Sequence, residues 1–122
     1  MPLHYLVFDF SDEDSGRGSF DAMASVAPER RAALLDEIAA VMRWSHRTFG
    51  PAGALDDDGE WDYELQAVAE PGTPLQIAYE AGRGEVSLSP GPSLGDALTT
   101  VTLVLSGSPA FCQAFQDAFG VD

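Results

Sequence analysis

The stretch EWDYELQA, residues 60–67, decides how this chain is read. Trp61, Tyr63, Leu65 and Ala67 point to one side of an extended backbone, and Glu60, Asp62, Glu64 and Gln66 to the other. Strict two-residue alternation marks a strand with one buried and one wetted face, the usual condition of an antiparallel sheet. The aromatic edge therefore belongs to the core, and the carboxylate edge looks outward.

After the turn EPGTP, Leu75, Ile77 and Tyr79 alternate with Gln76, Ala78 and Glu80; after AGRG, Val86 and Leu88 alternate with Glu85, Ser87 and Ser89. These strands form a meander whose outer face carries Glu60, Asp62, Glu64, Glu80 and Glu85. A Pro/Gly-rich loop over 89–96 leads to TTVTLVLS, a strand with Val101, Leu103 and Leu105 inward. Ser108 and Pro109 suit the N-cap and first position of a closing helix, whose apolar stripe is Phe111, Cys112, Phe115, Ala118 and Phe119.

Upstream, residues 3–10 read as a strand with apolar residues on both faces, so it needs a cover on each side. The acidic stretch DEDSGRG reverses the chain, with Gly16 and Gly18 supplying permissive dihedrals, and Phe20, Ala22, Ala24 and Val26 alternate as a second strand. From Pro28 a helix runs over 28–48 with Leu34, Ile38, Val41, Met42, Ser45 and Phe49 on one stripe, and Gly50 and Pro51 end it. Arg30 and Arg31 stand in its first turn against the helix dipole, a local conflict. Residues 1–122 thus make one α+β domain: a mainly antiparallel sheet of five or six strands in the order β-β-α-β-β-β-β-α, with two helices packed on one face.

Twenty acidic residues face six arginines and no lysine, a net charge of −14. Within 28–48 four arginines exceed Glu29, Asp36 and Glu37 by one; elsewhere two arginines meet seventeen acids, leaving −15. Nucleic-acid phosphates and anionic membranes are disfavoured partners, since both are held by clustered Lys and Arg. No apolar run reaches the length of a membrane span, the N-terminus lacks a basic signal region, and the single cysteine, Cys112, fits a reducing cytoplasm. Absent lysine and asparagine fit a GC-rich bacterial genome.

Motifs for chemistry are scarce. Both acidic runs fail the EF-hand frame: from Asp12 the required Gly falls on Arg17, and with Gly59 in that place the final Glu falls on Leu65. An irregular divalent site would draw on Asp12, Asp14, Asp56 and Asp58. His4 and His46 are far apart, His46 shares a helix side with Arg43 and Ala39 toward solvent, and Cys112 lies on an apolar stripe. No Gly-x-Ser-x-Gly element, phosphate loop or cofactor motif is present, so the reading leans away from an enzyme. It favours an interaction module binding a basic protein through Glu60, Asp62, Glu64, Glu80 and Glu85, with Asp56, Asp57 and Asp58 at the rim. One alternative is a small-ligand or divalent-cation protein, or an enzyme, with a pocket between helices and sheet lined by Trp61, Tyr63, Tyr79 and phenylalanines. Another is a homodimer covering the first strand.

Overall fold

A computed structural model describes residues 3–55, 59–70, 72–89 and 97–121. The strands are β1 (Asp9–Asp12), β2 (Gly18–Val26), β3 (Trp61–Ala69), β4 (Thr73–Glu80), β5 (Glu85–Ser89) and β6 (Thr99–Gly107). The helices are α1 (Arg31–Phe49), preceded by a 3-10 turn at Pro28–Arg30, and α2 (Pro109–Phe119). All neighbours are antiparallel, in the order β1-β2-β6-β3-β4-β5. The fold class and element order are those read from the sequence.

The last strand is the central one. β6 pairs along its whole length with β2 on one side and β3 on the other. Since both run against β6, β2 and β3 are parallel to each other, and a parallel pair requires a crossover, which α1 supplies. Inward residues of the three strands meet both helices: Phe20, Trp61, Val101, Leu103 and Leu105 are fully buried with Ile38, Met42, Phe111 and Phe115. Trp61 and Phe111 stack with rings 3° from parallel and centroids 5.8 Å apart.

The first strand is displaced from its expected place. Its ladder covers Asp9–Asp12, while residues 3–8 run beside the sheet without strand pairing. They are held instead by Glu37 of α1, whose carboxylate accepts the backbone N–H groups of His4 (2.8 Å), Tyr5 (3.0 Å) and Leu6 (2.7 Å). Leu6 and Phe8 enter the core, Phe8 edge-on to Phe115, and Val7 is 76% exposed. Leu6, Phe8 and Phe10 thus find their cover within the chain, while Leu3 and Tyr5 on the other side are half-buried.

Gly16 has the positive φ expected at the β1–β2 turn, but Gly18 does not. Its role is space: a Cβ there would meet the ring of Phe10 at 2.6 Å and the Cys112 sulfur at 3.0 Å. The arginines at the head of α1 are also explained. The Arg31 guanidinium reaches the start of β6, donating to Thr99 Oγ1 (2.8 Å) and the Ala97 carbonyl (3.1 Å), and Arg30 donates to Tyr5 Oη. Tertiary partners outweigh the dipole.

The β3–β4 ladder is short. It holds only Ala67↔Leu75, Val68↔Pro74 and Ala69↔Thr73, beyond which the β4–β5 hairpin swings onto α1, where Arg43 Nη1 donates to the Gly84 carbonyl at 2.7 Å. His46 is thereby half-buried rather than fully solvent-facing. Its ring lies 5.1 Å from both Trp61 and Tyr79, and Ala39 is buried as well.

Candidate functional site

Both helices cover one face of the sheet; among the described residues no helix or strand covers the other. Register across β1, β2, β6 and β3 arranges its side chains in rows. The first row is Ser11, Ser19, Ser106 and Asp62; the second is Asp9, Asp21, Val104 and Glu64. The third is Met23, Thr102 and Gln66, and the fourth is Ser25, Thr100, Val68 and Pro74. Acids therefore crowd one end of the face, while hydroxyl and apolar side chains occupy the other. Asp9 sits directly opposite Asp21, a like-charge pair that opposes folding by a few tenths of a kcal/mol.

The acidic end opens into a depression of about 650 Å³ whose lining includes Ser11, Glu13, Arg17, Asp62, Glu64 and Val104. Arg17 stands at its rim and donates to the Leu55 carbonyl at 3.1 Å. Asp62 also serves the backbone, since its Oδ1 accepts the N–H of Tyr63 at 2.9 Å, and Gly53 donates to the Trp61 carbonyl at 3.0 Å. These two bonds satisfy backbone groups of β3 where β4 has left it, as a partly stripped strand edge requires.

The carboxylates expected to act together separate into three places. Asp62 and Glu64 lie on the bare face. Glu60 is tied to the start of α2, accepting from Ser108 Oγ, which in turn caps the helix by accepting from Phe111 N–H. Glu80 and Glu85 both pair with Arg83 at the hairpin end, at 3.4 and 2.9 Å, so the chain's own cation offsets one of their two charges. Asp56, Asp57 and Asp58 lie outside the described residues. Asp9 and Asp21 were missed by the sequence reading, although the alternation of Phe20, Ala22 and Ala24 already turns Asp21 outward.

Among the described residues no group of three or more His, Cys, Asp or Glu side chains is placed to hold a metal ion; Asp12 and Asp14 are exposed, and Asp56 and Asp58 are not among those residues. The space between the layers near Trp61 is filled by stacked rings, with Trp61 Nε1 donating to the Gly50 carbonyl at 2.9 Å. Burial there holds the His46 imidazole below its ordinary pKa and pushes the Tyr79 phenol up. Burial likewise raises the Cys112 thiol, which is 4% exposed and suits a packing role.

Compared with protein-family models, curated proteins and solved structures, the chain matches none of them. No helix among the described residues is long and apolar enough to cross a membrane.

Proposed function

We propose that this protein is a non-enzymatic interaction module that docks a basic protein surface on the bare face of its sheet. One observation carries the reading. The rows of that face bear Asp9, Asp21, Asp62 and Glu64, and among the described residues no strand position on it holds Arg, Lys or His. Four of the six arginines, Arg30, Arg31, Arg43 and Arg47, belong to the helix layer on the opposite side. A predominantly negative field over that surface, with Arg17 only at its rim, attracts a partner of opposite sign, speeds encounter and makes it salt-dependent.

The test begins with a photo-crosslinking residue at Ser19, on the uncovered face, to identify the partner in host cells. Association of the purified pair is then followed by stopped flow across a salt series. Asp9→Lys, Asp21→Lys and Glu64→Lys together should slow association about tenfold or more at low salt and flatten its salt dependence. A partner that binds the triple variant at the original rate overturns the reading.

A further inference from the structure

The bare face is not flat. Along β6 its floor is short side chains, Thr100, Thr102, Val104 and Ser106, all half-buried. Longer side chains stand on either side: Asp21 and Met23 from β2, Glu64 and Gln66 from β3, all exposed. These walls are two strand spacings apart, about 10 Å. The wall side chains narrow that gap, so a helix of about 10 Å diameter laid along β6 would rest its flanks on them. An extended peptide fits less well, because strands are recruited at sheet edges where backbone groups are free, not on faces.

The trough also changes character along its length. Successive rows lie about 7 Å apart. Asp21 and Glu64 flank Val104; one row on, Met23 is 67% exposed, and one row further Val68 is 38% exposed. The step from carboxylate row to Val68 row is about 14 Å, or roughly nine residues of helix.

We infer that the trough over β6 seats an amphipathic helix of the partner. Its cationic turn lies over Asp21, Asp62 and Glu64, and its apolar turns, about five and nine residues on, cover Met23 and Val68 in succession. A helix N-terminus carries partial positive charge, so the helix runs with that end over the acids. This rests on the docking function proposed above and supplies the shape and polarity of what docks.

The probes are two synthetic peptides of about 14 residues, roughly 20 Å when helical, with the same Lys, Leu and Ala content. In one, helical spacing places lysines on the N-terminal half and leucines on the C-terminal half of a single face; the other is scrambled without a stripe. Each is titrated into the isotope-labelled full chain at low salt. The patterned peptide is expected to bind about tenfold tighter, to gain helical circular dichroism on binding, and to shift the amides around Met23, Thr102 and Gln66. Thr102→Trp fills the trough floor and should remove that preference while leaving the scrambled peptide's binding unchanged; Val104→Trp serves the same purpose should the first variant not fold. Asp21→Lys with Glu64→Lys should weaken both peptides. Equal affinity for the two peptides overturns the helix trough and leaves the electrostatic docking reading standing. Failure of both to bind overturns both readings. Shifts centred on the β4–β5 hairpin overturn the placement, and a concentration-dependent dimer protecting the β6 amides replaces the partner helix with a second copy.

Discussion

Gly107 shows how closely single residues are constrained where β6 meets α2. It faces Gly18 and Trp61 across the sheet, and a Cβ at this position would lie 2.6 Å from Cγ of Phe111. Phe111 cannot retreat, because Trp61 stacks on it from β3. Gly107→Ala should therefore lower stability by about 1–3 kcal/mol through overpacking, read from the denaturant midpoint. Gly82→Ala, where no atom lies within 4 Å of the added methyl, should stay within about 0.5 kcal/mol. His46 makes a different prediction. Its half-buried ring packs against Trp61 and Tyr79, and burial lowers its pKa from 6.5. The unfolded chain then binds the proton more readily, so this group's contribution is present above pH 6.5 and declines as pH falls toward the folded-state pKa. In an NMR titration the His46 ring should show a midpoint below 6.5, and the stability difference between the wild type and His46→Phe should shift in favour of the variant on acidification. A midpoint at or above that value contradicts the packing described.

At the scale of elements, the N-terminal segment depends on one carboxylate. Three successive N–H groups, of His4, Tyr5 and Leu6, converge on Glu37, forming a backbone concavity that favours an anion. Glu37→Gln replaces one acceptor oxygen with a donor and leaves N–H groups facing it. The expected cost is about 1–3 kcal/mol, with faster amide exchange at residues 4–6, whereas Asp36→Asn, exposed on the same helix, should change little. Nothing in the sequence signals this contact. Apolar residues at 3–10 predict extended backbone and burial, and Leu6 and Phe8 are indeed buried, yet the ladder begins only at Asp9. Periodicity reports which side of an element is apolar, and it serves well for β2, β3, β6 and both helices. It is silent on neighbours. That β6 lies between β2 and β3, and that β4 leaves β3 after Ala67, follow from long-range pairing. The same silence let His46 pass as solvent-facing and scattered a set of carboxylates that looked like one patch.

For the whole molecule, the charge sets function against stability. The Asp21 carboxylate makes no hydrogen bond or ion pair among the described residues and stands opposite Asp9, with Glu64 beyond Val104 in the same row. A net charge of −14 on 122 residues adds long-range repulsion that compaction must overcome. Both terms are screened by salt within a Debye length of about 10 Å at 0.1 M. Thermal stability should therefore rise as sodium chloride increases from low to moderate concentration, opposite to the trend for a protein held by surface ion pairs. Asp21→Asn should stabilise the fold by a few tenths of a kcal/mol at low salt, and that gain should shrink as salt is added. The same substitution should slow association with a basic partner, since it removes one of the carboxylates flanking the trough. Loss of stability in Asp21→Asn, measured by denaturation at low salt, would mean that the carboxylate supports the fold, and the row would then owe its charge to structure rather than to docking.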